Sequence, residues 1–265
     1  MKIADARVLL TGATGGIGQA IATHLAAQGA CLLLSGRRER ELEQMATGLR
    51  ESGARVAIAP ADLGDGGALS NLAEIAGGWQ GGVNVVVHNA GINVSGLLES
   101  IDTTAIADVM AANVVAPIQL TRLLLPGLLE RSEAQLLFMG SGFGTLGYPG
   151  FSIYSASKFA LRGFAEALRR EVADTNLSVS LLAPRAVDTP INDARVRGLQ
   201  GALKMAVDPP ARIAAAVAGL IEKPRAECQV GWPERMFMRV NRFAPSLVDG
   251  SLRRQLPEIR AHLKP

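Results

Sequence analysis

Val8-Leu9-Leu10-Thr11-Gly12-Ala13-Thr14-Gly15-Gly16-Ile17-Gly18 is an apolar, strand-like run that ends in a glycine turn and enters a helical pattern continued by Ile21 and Leu25. A strand, a glycine turn and a helix start make a phosphate-binding arrangement. Backbone amides at a helix N-terminus attract phosphate, and glycines let a pyrophosphate come close to the chain. The glycine order, Gly12, Gly16 and Gly18, is G-x-x-x-G-x-G rather than the more familiar G-x-G-x-x-G. A turn that uses glycine for steric reasons alone is the competing reading.

Outward from that turn, strand-like apolar runs fall at 6–11, 31–35, 55–59, 83–88, 135–140, 177–183 and 227–231, alternating with helical patterns at 16–28, 38–52, 102–131, 152–175 and 209–223. The 102–131 pattern is expected to break near Asn113. This alternation predicts an α/β fold: a single-domain, Rossmann-type, doubly wound parallel sheet with helices on both faces. Right-handed crossovers would set the loops after successive strands on one sheet edge, where ligands bind in such folds. A chain of 265 residues with 48% hydrophobic content can form one large domain of this kind, and 29 glycines suit tight turns. The start, Met1-Lys2-Ile3-Ala4-Asp5, leads straight into the first strand without an apolar leader, and no apolar run is expected to span a membrane. Two cysteines, Cys31 and Cys228, form no disulfide framework, which fits a reducing cytoplasm. With His24, His88 and His262 scattered, no metal site is expected.

Tyr154 and Lys158 are four residues apart, so a helix presents both on one face. An ammonium beside a phenol favours the phenolate, which is expected to ease proton exchange near neutrality. Such a tyrosine serves a carbonyl as general acid or an alcohol as general base. A solvated surface pair is the plain alternative for an isolated Y-x-x-x-K.

Together with Asn89-Ala90-Gly91 after the strand Val83 to Val87, and Ser141 thirteen residues before Tyr154, these motifs make the chain resemble the short-chain dehydrogenase/reductase family from about residue 5 to 190. The resemblance implies that Ser141 hydrogen-bonds the reacting carbonyl oxygen, that Tyr154 donates the proton, and that Lys158 binds the nicotinamide ribose and lowers the tyrosine pKa. Asn113, in Ala111-Ala112-Asn113-Val114, matches the fourth catalytic residue, which holds a water in a proton relay behind the lysine. It further implies cofactor contacts from Gly12, Thr14, Gly16, Ile17, Gly18, Arg37, Arg38, Asp62, Leu63, Asn89, Ala90, Gly91, Pro184, Val187 and Thr189, besides Tyr154 and Lys158. Asp62 matches the adenine-contacting aspartate, and Thr189 the threonine that meets the nicotinamide carboxamide.

The second strand ends in Ser35-Gly36-Arg37-Arg38. A carboxylate here would accept the ribose hydroxyls of NAD and repel a 2′-phosphate, whereas Gly36 takes its place and a guanidinium suits phosphate by charge and fork geometry. NADP(H) is therefore the expected cofactor, against the alternative that both arginines only solvate a loop. Two positions depart from the family pattern. His88 stands where asparagine is usual and reads as a packed strand-end residue, and Pro184-Arg185 replaces Pro-Gly. Arg185 is expected to point outward with its stem along the surface; pointing inward, it would favour an acidic or phosphate-bearing substrate.

Residues 1–231 are read as the catalytic domain, with a substrate lid at about 188–207, and 232–265 as a basic amphipathic C-terminal extension. Phe143, Leu146, Tyr148 and Phe151 are expected to line an apolar pocket or pack under the lid. From Arg185 to the end, fourteen Lys/Arg stand against eight Asp/Glu, a net of +6, while residues 1–184 carry thirteen against sixteen. In the tail Met236, Val240, Phe243 and Leu247 recur at helical spacing beside Arg235, Arg239 and Arg242, a pattern that suits an anionic membrane surface or, equally, packing over the pocket or another subunit. The expectation is an NADPH-dependent, cytoplasmic oxidoreductase acting on a ketone or 3-oxoacyl carbonyl. Alternatives are a reductase of a bulky lipid or ring ketone at a membrane surface, and a non-catalytic NADP(H)-sensing protein. A small-molecule substrate, no nucleic acid and a homodimer or homotetramer complete the reading, the oligomer resting on the resemblance.

Overall fold

The computed structural model describes residues 1–232 and 234–264, apart from the side chains of Glu234, Arg235, Met238, Arg239 and Arg242. Seven strands, β1 (Arg7–Thr11), β2 (Cys31–Ser35), β3 (Arg55–Ile58), β4 (Val85–His88), β5 (Ala134–Met139), β6 (Leu177–Ala183) and β7 (Glu227–Gln229), form one parallel sheet in the order β3-β2-β1-β4-β5-β6-β7. Successive side chains alternate between its faces. Val8, Leu10, Leu32 and Leu34 meet the helices α1 (Gly16–Ala26), α2 (Glu39–Glu51) and, at Ile213 and Val217, a later helix of 210–222. Leu9 and Leu33 face α3 (Gly66–Gly78) and the opposite layer. Both faces are covered, which is why the strands read as near-continuous apolar runs rather than alternating ones.

The opposite layer continues with α4 (Thr103–Met110), a π turn at Ala111–Val115 and α5 (Ala116–Leu129), followed by α6 (Ser152–Glu171). The break expected at Asn113 is this π turn. Pro117 has no N–H to give the Asn113 carbonyl, and the Ala116 N–H reaches back to Ala111 O. Contrary to the expectation of no span-length apolar run, the helical stretch Thr103–Leu129 is long and apolar enough to cross a membrane, with mean hydropathy 1.3. Its Leu120, Leu124 and Leu128 are buried against the sheet, so its apolar character serves a core.

Beyond β6 come α7 (Ala194–Ala202), α8 (Pro210–Glu222), α9 (Glu234–Phe243) and α10 (Pro245–Leu263). The helical spacing read across the tail is interrupted at Ala244, whose φ of −143° lies outside the helix. The residue before a proline is disfavoured in the α region, and Pro245 opens α10 instead. Leu247 thus belongs to a different helix from Met236 and Val240. Ile259 and Leu263 of α10 are fully buried with Val196 and Leu199 of α7, Tyr148 and Phe151. Met236, Phe243 and Leu247 are exposed, and the arginine stripe of Arg235, Arg239 and Arg242 lies outside the described side chains.

Candidate active site

The strand order reverses between β1 and β4, which opens a crevice beyond their C-terminal ends. On the β1 side the glycine turn is built by close contact. Gly12 has φ +63°, and a Cβ there would sit 2.7 Å from the Ala90 Cα; a Cβ on Gly18 would overlap the Gly12 carbonyl oxygen. Thr11 and Asn89 tie the two strand ends together. Asn89 Nδ2 donates to the Thr11 and Gly12 carbonyls at 3.1 and 3.0 Å, and the Asn89 and Ala90 N–H groups both donate to Thr11 Oγ1 at 3.1 Å. No side chain caps the first turn of α1, so its amides remain open to an anion.

The end of β5 and the start of α6 then bring Ser141, Tyr154 and Lys158 to one cavity of about 340 Å³. Ser141 follows β5, and its Oγ accepts the Phe143 N–H at 3.1 Å, which leaves its proton free to go to the Tyr154 hydroxyl, its hydrogen-bond partner. Tyr154 and Lys158 lie one turn apart at the start of α6. Lys158 Nζ is 5.6 Å from the Tyr154 ring centroid and donates to Met139 O at 2.9 Å. Asn113 sits behind them. Its Nδ2 donates to Ile92 O (2.9 Å) and Ser157 Oγ (3.0 Å), and its Oδ1 accepts the Ile92 N–H (2.8 Å), so the π turn holds the segment that follows Gly91.

The expectation that the ammonium makes the phenol more acidic is reversed in the polypeptide alone. Burial pushes the Tyr154 pKa above its ordinary value, and the hydrogen bond from Ser141 offsets this only in part. Burial also lowers Lys158 to about 8. The phenol therefore keeps its proton through neutrality while the amine stays largely charged. A protonated phenol next to a serine hydroxyl, at the wall of an apolar cavity, can hydrogen-bond a carbonyl oxygen from two donors and protonate it.

The remaining residues of the sequence reading divide into two sets. Ile17, Asn89, Gly91, Pro184, Val187 and Thr189 line the same cavity as Tyr154. Arg37, Arg38, Asp62 and Leu63 do not line it, since they follow β2 and β3. Arg37 is exposed, whereas Arg38 reaches across to the glycine turn, donating to Thr14 Oγ1 at 3.0 Å and pairing with Glu41 at 2.9 Å. Asp62 Oδ1 accepts the Gly64 N–H at 3.0 Å, and Asp65 is the N-cap of α3, as its position nearer the start suggests. His88 is packed as read from the sequence. It stacks on Phe138 with centroids 4.8 Å apart, bonds Thr121 Oγ1 at 3.0 Å, and burial lowers its pKa to about 3, so it stays neutral. Thr189 Oγ1 is buried at the cavity edge with no hydrogen-bond partner, and Gly16 lies under the same threonine. Open amides at the turn and an unsatisfied hydroxyl further along fit a ligand that is anionic at one end and carries a hydrogen-bonding group at the other.

Arg185 does not point outward. Its side chain is 13% exposed, its Nη2 lies 2.7 Å from Asp208 Oδ1, and its stem packs on Gly231. Asp208, itself 2% exposed, also takes Arg212 at 2.9 Å. A buried carboxylate just past residues 188–207 draws the arginine inward. Sequence reading also missed the helix α7 and Gln255 of α10, which accepts the Tyr148 hydroxyl at 2.6 Å. Gln255 carries no sequence signal that separates it from other polar residues of an amphipathic helix.

Comparison with known proteins agrees with this geometry. A family model described as short chain dehydrogenase matches residues 6–200. Nodulation protein G of Rhizobium sp. (strain N33) is 35% identical over 192 residues, covering 72% of this chain and 77% of that protein. Ketoacyl reductase HetN of Nostoc sp. is 29% identical over 255 residues, covering 91% and 86% respectively. Two solved structures share the fold: a short-chain dehydrogenase/reductase of Burkholderia phymatum in complex with NAD (TM-score 0.85, 26% identity, 93% of this chain and 96% of that one) and a short chain dehydrogenase of Burkholderia cenocepacia in complex with NADP (TM-score 0.79, 26% identity, 89% and 100%).

Proposed function

The chain belongs to the short-chain dehydrogenase/reductase family of oxidoreductases, and on that premise we propose that it is an NADPH-dependent reductase of ketones or 3-oxoacyl groups, with Tyr154 as proton donor. The observation that carries this reading is the meeting of Tyr154, partly buried and with its pKa raised by desolvation, with Ser141 and Lys158 in one largely apolar cavity. A nicotinamide cofactor in the crevice would supply the hydride for reduction. The turn of Gly12 to Gly18 would hold its phosphates by backbone amides, Thr189 would offer its unsatisfied hydroxyl to the carboxamide, and Lys158 would hold the ribose. Ser141 donates a hydrogen bond to the substrate oxygen, Tyr154 Oη gives that oxygen its proton, and Asn113 keeps the proton path behind Lys158 in register. The largely apolar lining of the cavity lowers the local dielectric, which strengthens each of these interactions.

Preference for NADP(H) rests on Gly36 and on the exposed Arg37 beside it, since the structural relatives include one complex with each dinucleotide. One charge-assisted phosphate contact gives about a ten- to hundredfold preference in kcat/KM for NADPH over NADH. Gly36→Asp with Arg37→Ala is expected to remove that preference. Equal kcat/KM for the two cofactors in the unaltered protein, measured at saturating carbonyl, would sink this assignment.

A second reading, a lipid-ketone reductase at a membrane, is favoured by the exposure of Met236, Phe243 and Leu247 within a strongly basic segment. It is supported by co-sedimentation with anionic vesicles that is lost in high salt and after Met236→Glu with Phe243→Glu; absence of binding at low salt rejects it. The homodimer or homotetramer expected from the resemblance would use α5 and α6, where Val115 just ahead of α5, Leu123 and Phe159 are exposed.

A further inference from the structure

One wall of the cavity is built from parts distant in sequence. The Phe143 and Tyr148 rings stack with centroids 4.9 Å apart, and α10 closes over them through Leu252 and Gln255. In this apolar wall Gln255 is a polar intrusion. Its Oε1 accepts the Tyr148 hydroxyl at 2.6 Å, so the carbonyl arm of the amide is committed to the protein. Burial raises the Tyr148 pKa, which keeps that phenol protonated and able only to donate to Gln255 without giving up its own satisfaction. The other arm, Nε2, carries two N–H donors at a cavity-lining position.

We propose that Gln255, oriented by Tyr148, is the specificity-determining anchor for a second oxygen of the substrate. The preferred substrates are then ketones with a further acceptor oxygen, such as the thioester carbonyl of a 3-oxoacyl group, rather than plain alkyl or ring ketones. This inference rests on the carbonyl-reductase reading and narrows its substrate class. A half-buried donor in a largely apolar wall discriminates, because a ligand that lacks the matching acceptor shields it from water without pairing it.

The test compares a 3-oxoacyl N-acetylcysteamine thioester with an alkyl ketone of equal length. In the unaltered protein the thioester should be favoured. Gln255→Glu keeps an acceptor for Tyr148 and removes the donors; it is expected to raise KM for the thioester about tenfold, with a clearly smaller loss on the plain ketone. Tyr148→Phe, which frees the amide to turn, should weaken the same preference to a smaller degree. Equal losses on both substrates, or a preference that survives Gln255→Glu, would overturn the proposal. Calorimetric binding of the two compounds to the complex with NADP⁺, which has no hydride to give, reads the anchor without turnover. Selective binding without reduction would defeat the reductase reading and leave the anchor standing.

Discussion

Tyr154→Phe is expected to cut kcat/KM for carbonyl reduction by about 10² to 10⁴, the usual contribution of a positioned general acid. The substitution removes only the hydroxyl. The ring keeps its edge contact with Phe143, at a centroid distance of 6.5 Å, so thermal stability should change little. NADPH binding, followed by the fluorescence of the reduced nicotinamide, should persist, because the phosphate-holding turn is untouched. Turnover within tenfold of the unaltered protein would show that the proton comes from elsewhere. The pH dependence carries a second check. Since burial raises the Tyr154 pKa, the phenol remains an acid throughout the neutral range, and reduction should not lose its proton donor there. The reverse oxidation needs the phenolate, so its rate should climb toward alkaline pH, and Tyr154→Phe should remove that climb.

Much of this site was legible in the sequence because its parts are set by local rules. Glycine spacing, a strand period and the i, i+4 pairing of Tyr154 with Lys158 each act over a few residues, and the parallel alternation carries them to one sheet edge. All seven strands fall where the apolar runs put them. The break at Asn113 was legible for the same reason, Pro117 being four residues on. What could not be read are pairings across long separations. Gln255 meets Tyr148 over 107 residues, and Arg185 meets Asp208 over 23, with nothing local in either stretch to announce the partner. The tyrosine pKa went the other way because the balance between a neighbouring ammonium and desolvation depends on burial, which the spacing of Tyr154 and Lys158 does not fix.

The Arg185 arrangement leads to the second large effect. Arg185→Ala leaves the carboxylate of Asp208, 2% exposed, with Arg212, whose own side chain is 52% exposed. Breaking a buried pair by removing one partner costs about 3–5 kcal/mol, because a charge remains in poorly solvated surroundings. Urea unfolding at pH 7 should show a loss of this order, and the backbone at Asp208, bonded to Ala186 and Asp188, should loosen with it. The sign with pH follows from the carboxyl. In the intact protein burial pushes its pKa up, but Arg185 and Arg212 outweigh it and hold the value below the ordinary one. That stability is present above the unfolded pKa, about 3.9, and is lost as pH falls through the folded value. Without Arg185 the burial effect gains weight and the folded pKa rises. The variant then relieves its buried charge by taking up a proton at a higher pH than the parent does. The stability gap between the two should therefore narrow as pH falls from 7 toward 4. A constant gap over that range would mean that Arg185 acts through packing against Gly231, and a gap under about 1 kcal/mol at pH 7, the size of an exposed pair, would mean that the pair is not buried in solution.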